Sequence, residues 1–444
     1  MSDNDAPPDA PPDSLDAGPD PRPIEPVDGP LDADVTVPGS KSATNRALLV
    51  AAMAGGASRL RGALASDDTW AMVDCLRRCG VAIDVHENRD EIEVLGRTVA
   101  DVEPIELDAR QSGTTARFVA PYCALDGRRY VLDGSEQLRS RPMGPGLDAL
   151  TNLGATVISR HEPGRLPVEI TGPLTGTSVR LPGDVSSQFV SGLLMVAPLL
   201  PDGLMIELTT APVSRPYLDL TVSVMTAFGG FVHVDGDRRY VVRAGRYVGR
   251  DILIEPDASA ASYFFAAAAV CGGRVRVEGL GRNTVQGDLA FVELLERMGA
   301  TVRRGATWTE VVGTGELHGV EADMADLSDT APTLAVVAAF ADTPTRVTGI
   351  GFIRGKETDR IAAVVTELRR LGIDAVDEPD GFSINPGPIT PAVVETYRDH
   401  RMAMSFAIAG LRVPGIAIAD PVCVAKTFPT FWTALDGLRP SGRQ

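Results

Sequence analysis

The sequence predicts an α/β protein made of stacked copies of one unit, divided into two domains of three units each. Three observations predict it. A helical apolar period, then glycine, then a short β-type run recurs as MVDCLRRCGVAIDV (72–85), LDALTNLGATVIS (147–159), LTVSVMTAFGGFVHV (220–234), VELLERMGATV (292–302) and VTELRRLGIDAV (365–376). The turn glycines Gly80, Gly154, Gly229, Gly299 and Gly372 are spaced by 74, 75, 70 and 73 residues, and a sixth helix, Phe431 to Leu438 with Gly437, follows 65 residues on. Six such units in a chain of 444 residues exceed one ordinary core.

Each element has a local reason. The helices bury an i, i+3, i+4 face. Glycine supplies the left-handed residue that ends each helix. The chain then turns into a strand whose alternate residues face the same core. Regular recurrence implies stacking. The Ala-rich helices Ala260–Val270 and Ala331–Ala341 suit tightly buried positions.

Composition narrows the function. Aromatics are 5% of the chain, too few for a base-stacking platform. The net charge of −17 argues against a nucleic-acid or anionic-lipid partner, while leaving room for a focused basic pocket. No apolar run reaches about 18 residues, since Ser191 to Ile206 is cut by Pro198, Pro201 and Asp202, so no membrane partner is expected. Cys75, Cys79, Cys123, Cys271 and Cys423 lack metal spacing, and the histidines are scattered; reduced thiols, no metal and a cytoplasmic location are expected. The first 30 residues hold nine prolines and no signal pattern, so residues 1–28 are expected to form a disordered acidic tail.

Charge-dense segments interrupt this background at helix entrances. VPGSKSATNRALLVAA (37–52) puts Ser40, Lys41, Ser42, Asn45 and Arg46 around a helix N-terminus, where backbone N–H groups favour an anion. The spacing of a nucleotide-binding phosphate loop is absent. DARQSGTTARFVAPYCAL (108–125) carries Gly113 and Arg117, and LRSRPMGPGLDAL (138–150) carries Arg139 and Arg141 before a Pro-started helix. GDVSSQFVSGLLMVAPLL (183–200) opens with Ser186, Ser187 and Gln188. LSDTAPTLAVVAAF (327–340) carries Asp329, which alone reads as a helix cap. Lys356, Glu357, Asp359 and Arg360 crowd RGKETDR; Asp399, His400 and Arg401 open RDHRMAMSFAIAGL; Lys426 lies in CVAKTFPTFW. Lys41, Arg46, Arg141, Lys356, Arg360, Arg401 and Lys426 would bring seven positive charges to one cleft. Two anionic substrates meeting between two domains follow naturally, with Asp329 and Glu357 as proton-transfer groups.

The segments GSKSATNRALL, DGSEQLRSRPMG, VSSQF, SRPY, KETDR, DHRMAM and AKTFP, in that order, resemble the 5-enolpyruvylshikimate-3-phosphate synthase family over residues 34–433. The resemblance implies two similar domains, each of three βαβαββ repeats, in an inside-out α/β barrel. It places residues 29–37 plus 256–444 in the domain holding both termini and 38–255 in the second, with the active site in the interdomain cleft. The implied reaction moves the enolpyruvyl group of phosphoenolpyruvate to the 5-hydroxyl of shikimate 3-phosphate, without cofactor or metal, in a monomer. Catalytic roles fall to Asp329, Glu357 and Lys41. Lys41, Ser42, Arg46, Ser186, Ser187, Gln188, Ser214, Asp329 and Lys356 would bind shikimate 3-phosphate. Lys41, Gly113, Arg141, Gln188, Arg360, Arg401 and Lys426 would bind phosphoenolpyruvate.

The chain departs from the family pattern in places. Gln111-Ser112 stand where Asn-Ala is common, Phe118 where Pro is common, and Phe352 where the family has an Asn contact to substrate. Gly113 is retained, so glyphosate is expected to enter the pocket. Two alternatives are separable. A transferase acting on a UDP-amino sugar typically has a loop cysteine, whereas Cys123 lies on an apolar helix. A non-catalytic anion-binding relative would lack Asp329 or Glu357, and both are present.

Overall fold

The repeat seen in the sequence folds as strand, helix, strand, helix and an antiparallel strand pair in the computed structural model, which describes residues 17–97 and 104–439. One copy shows the pattern. Ile105–Asp108 pairs in parallel with Arg129–Asp133, and helix Gly113–Cys123 makes the crossover. Helix Gly144–Asn152 leads to Thr156–Ser159, and Val168–Thr171 inserts between the two preceding strands. The copies spanning Ser178–Val242 and Glu321–Asn385 repeat this strand order. Among the described residues there are five four-stranded sheets of this kind and one of three strands.

Two sheets borrow their first strand from elsewhere in the chain. Leu31–Val35 pairs in parallel with Gly273–Glu278, and Asp251–Leu253 pairs in parallel with Ser58–Arg61. The connections that follow these strands lie side by side. Ser40 N–H donates to the Glu255 carbonyl and Asp257 N–H to the Pro38 carbonyl, both at 2.8 Å. The crossing needs a residue without a side chain at 39, because a Cβ there would lie 1.8 Å from the Gly62 carbonyl oxygen.

Two separate apolar cores result. One draws on residues 17–37 and 258–438, the other on residues 43–254. At the centre of the second, helices Lys41–Ala52, Gly113–Cys123 and Ser187–Val196 touch one another; in the first, Ala258–Cys271, Ala331–Ala338 and His400–Arg412 do so. All eleven residues of Gly113–Cys123 are buried. The sheets surround these helices and show one wet face, as in Ser58–Arg61, which alternates buried and exposed. The five turn glycines have φ between +83° and +113°, the left-handed cap the pattern requires. Gly437 differs, with φ −66°, because no strand follows it among the described residues.

The expected tail needs correction. Residues 1–16 lie outside the described residues, but residues 17–28, expected in the tail, are built into the fold. Arg22–Pro23 pairs with Ala417–Ile418, and Arg22 bonds Asp436 at 2.7 Å over the Trp432 ring. Ile24 is 4% exposed, and its amide donates to the Ile416 carbonyl. Proline-rich composition hid a short strand that completes the three-stranded sheet. Ile24→Ala is expected to destabilise this lobe by about 2–5 kcal/mol, read as a lower urea midpoint for its unfolding.

Candidate active site

The central helices of both lobes start at the cleft. Ser40, Ser112 and Ser186 cap the three helices of one lobe, and Asp257 and Asp399 cap two of the other, each through a side-chain oxygen that accepts from an early helix amide. The positive ends of these helices therefore face one space, which favours anions there.

Charged side chains fill that space in a connected cluster. Glu357 receives Arg360 at 2.7 Å, Lys426 at 2.9 Å and Arg141 at 3.6 Å. Asp329 receives Arg401 at 2.7 Å, Arg360 at 3.1 Å and the Tyr217 hydroxyl at 3.2 Å. Asp399 takes Arg360 Nε at 2.7 Å. Lys41 pairs with Asp68 at 3.2 Å. Several bonds join the lobes: Gln137 Nε2 donates to the Glu357 carbonyl at 2.7 Å, Lys426 Nζ to the Gln111 carbonyl at 3.3 Å, and Ser214 N–H to the Ala325 carbonyl at 3.1 Å.

Burial and charge set the protonation states. Burial alone would raise the Glu357 carboxyl, but Lys426, Arg360 and Arg141 outweigh it and hold it well below the usual carboxylate range. Asp329 is likewise pulled far down against burial, by Arg401, Lys356 and Arg360. Burial lowers Lys356 to about 8, with Asp329 opposing. Burial, then Arg401 and Lys426, pushes His400 well below its ordinary value, so its imidazole is neutral.

Most of the residues expected from the sequence meet here. Lys41, Gly113, Arg141, Gln188, Asp329, Lys356, Glu357, Arg360 and Arg401 line one pocket, and Lys426 joins it through Glu357. Ser42 lines an adjoining cavity with Lys41 and Arg401. Gln188 is fixed by Thr114 at 3.0 Å and Arg117 at 2.7 Å. Ser186, Ser187 and Ser214 are buried outside the pocket lining; Ser186 accepts the Gln188 amide, and Ser214 takes a strained φ of +52° beside Ser328. Arg46, expected as a substrate ligand, is bonded within the protein. Its guanidinium bonds Thr221 at 2.7 Å, the Ser42 carbonyl at 2.9 Å and the Tyr217 carbonyl at 3.2 Å, and stacks on Phe118 at 5.0 Å. It is 1% exposed and braces the helix entrance from behind. Phe118 is thus its platform, and Phe352 lies 5.9 Å beneath the Lys356 ammonium.

Sequence reasoning assigned no place in the site to Asp68, Tyr217 or Asp288, and it marked Arg117 and His400 at helix entrances, with Thr114 beside Gly113, without assigning them a role. Tyr217 and His400 lay inside quoted segments, SRPY and DHRMAM, without a role. Asp68 and Asp288 carry no local signal, because only the fold brings them in. Cys123 is fully buried, and burial pushes its thiol well up, so it is no nucleophile. His86, Glu91 and Glu93 lie close enough to share an ion, but on an outer hairpin where Arg59 already bonds Glu93 at 2.7 Å. Among the described residues no helix is long and apolar enough to cross a membrane.

The architecture and cleft define an enolpyruvyl transferase fold. The enolpyruvyl transferase NikO from Streptomyces tendae superposes with a TM-score of 0.73 at 19% identity, covering 94% of this chain and 96% of that one. The family model for EPSP synthase (3-phosphoshikimate 1-carboxyvinyltransferase) matches residues 27–435, and the chain belongs to that family. The 3-phosphoshikimate 1-carboxyvinyltransferase of Nostoc punctiforme is 46% identical over 413 residues, which is 92% of this chain and 97% of that protein. The enzyme of that name from Methanoculleus marisnigri is 42% identical over 410 residues, at the same coverage. A solved structure of EPSP synthase from Acinetobacter baumannii matches with a TM-score of 0.79 at 30% identity, over 94% of this chain and 98% of that one.

Proposed function

We propose that this cleft transfers the enolpyruvyl group of phosphoenolpyruvate to the 5-hydroxyl of shikimate 3-phosphate and releases phosphate. The observation that carries the residue roles is Glu357, buried between Arg360 at 2.7 Å, Lys426 at 2.9 Å and Arg141 at 3.6 Å, with Asp329 sharing Arg360. Cations already paired to carboxylates hold those carboxylates ionised and inert. The carboxylate and phosphate of phosphoenolpyruvate compete for the same cations, through charge-assisted bonds. As Lys426, Arg360, Arg141 and Arg401 turn to substrate, Glu357 and Asp329 lose part of their stabilisation and rise toward a working range. Glu357 takes up a proton from solvent as its cations turn to substrate and delivers it to the methylene carbon. Asp329 takes the hydroxyl proton as the C–O bond forms, and Glu357 recovers its proton from the methyl group as phosphate leaves. Lys41, Ser42, Ser186, Ser187, Gln188, Ser214 and Lys356 hold shikimate 3-phosphate, with Lys41 reaching both substrates.

The two cores support closure of one lobe (38–255) on the other (29–37 plus 256–444), which excludes water from a reactive intermediate. Free thiols support a reducing, cytoplasmic setting. Retention of Gly113 supports entry of glyphosate, and undiminished activity at high glyphosate would contradict it.

Glu357→Gln and Asp329→Ala should each lower turnover at least ~100-fold, while Glu357→Gln keeps shikimate 3-phosphate binding. Near-normal turnover in Glu357→Gln would overturn the assignment. A Cβ at position 113 would sit 2.7 Å from an Arg141 nitrogen. Gly113→Ala should therefore raise KM for phosphoenolpyruvate about tenfold, roughly 1.4 kcal/mol, with little change in affinity for shikimate 3-phosphate.

A further inference from the structure

Behind Asp329 lies a second carboxylate that the reaction as described leaves unused. Asp288 is 4% exposed. The Tyr217 hydroxyl reaches Asp288 Oδ2 at 2.9 Å and Asp329 Oδ2 at 3.2 Å, so one phenol bridges two carboxylates. Ser259 Oγ also donates to Asp288 Oδ2, while Asp288 Oδ1 has no hydrogen-bond partner among the described residues. Tyr217 comes from one lobe, and both aspartates come from the other. The bridge therefore spans the two lobes.

We propose that Tyr217 and Asp288 form a proton relay that empties Asp329 during turnover. Asp288 acts through Tyr217 and is a positioning residue, not one that touches the reacting atoms. The inference rests on the transferase reading above. The 5-hydroxyl proton passes to Asp329 Oδ2 as its oxygen bonds to the substrate carbon. Tyr217 accepts that proton on its oxygen and gives its own to Asp288 Oδ2. Asp329 is a carboxylate again, Tyr217 is unchanged, and Asp288 is neutral. No electron or oxidant is needed, and Asp288, which lines the adjoining cavity, gives its proton to solvent as product leaves, ready for the next turnover.

The two carboxylates are unequal in the direction this requires. Burial, then the charge of Asp329, raises Asp288 to about 6. Asp329 is held far lower by Arg401, Lys356 and Arg360 against burial. In the resting cleft a proton on Asp329 therefore moves downhill to Asp288. The partial release of Asp329 by substrate narrows that difference, and the Tyr217 bridge carries the transfer. Burial and both aspartates push the Tyr217 phenol well above its usual range, so it passes a proton without ionising at rest. The charged and titratable groups facing Asp288 are Asp329, Arg401 and Tyr217, with Lys41, Asp257 and Tyr263 on the cavity wall.

The sign follows. Asp288 must be ionised to receive the proton, so turnover falls as pH drops through about 6. The test is the pH profile of kcat for phosphate release, with both substrates saturating, in the full chain. Asp288→Asn should lower kcat about 10–100-fold at pH 7.5 and flatten the acid limb, and Asp288→Asn with Tyr217→Phe should lose little more than either alone. Ser259→Ala keeps both carboxylates but removes a bond to ionised Asp288, so its acid limb should move to higher pH. Infrared titration of the wild type should show a protonated buried carboxyl near pH 6 that Asp288→Asn lacks. An unmoved limb in Ser259→Ala, or a wild-type limb retained in Asp288→Asn, would overturn the relay. Wild-type protein that releases no phosphate from the two substrates would overturn the transferase reading instead.

Discussion

Arg360 is 2% exposed and holds three carboxylates at once: Glu357 at 2.7 Å, Asp399 at 2.7 Å and Asp329 at 3.1 Å. A buried guanidinium costs several kcal/mol unless its charge and donors are matched. Each of its partners comes from a different segment: the turn before its own helix, the cap of helix His400–Arg412, and the short turn before helix Ala331–Ala338. Satisfying one side chain thus sets the position of three helix entrances. Those entrances position the rest, since Glu357 continues to Lys426 and Arg141, and Asp329 continues to Arg401 and Tyr217. Arg141 and Tyr217 belong to the opposite lobe, so the same network registers one lobe against the other.

The backbone carries strain where this network is anchored. Tyr397 and Arg398 both have positive φ, at +56° and +57°, immediately before the Asp399 cap. Non-glycine residues hold that conformation only when their surroundings over-determine it. Glu367, 0% exposed, supplies the restraint: it accepts the Tyr397 hydroxyl at 2.7 Å and the Glu395 amide at 3.0 Å. The tension is stored in a packed lobe and delivers Asp399, His400 and Arg401 to the cleft in one turn of chain.

Much of the fold was legible because it depends on local chemistry. The spacing of Gly80, Gly154, Gly229, Gly299 and Gly372 marks a helix end that only a left-handed residue makes, and all five have positive φ. The site was legible where function places unusual charge at helix entrances, as at Lys41, Lys356 and Arg401. Local reading failed where geometry is not local. Ala17 to Val27 read as a proline-rich tail, because a two-residue strand completed by Ala417–Ile418 leaves no pattern of its own. The place of Arg46 in its segment did not show that Thr221, Tyr217 and Phe118 from distant segments hold its guanidinium. Asp68 and Asp288 became visible only when the fold brought them to Lys41 and Tyr217.

The central claim is that the paired cations of this cleft exist to receive two anionic substrates together, with Glu357 and Asp329 released to move protons only then. Phosphate release from phosphoenolpyruvate by the purified full chain, with and without shikimate 3-phosphate, tests it most directly. The account predicts release that requires both substrates. Release from phosphoenolpyruvate alone, or none with both bound, would contradict it.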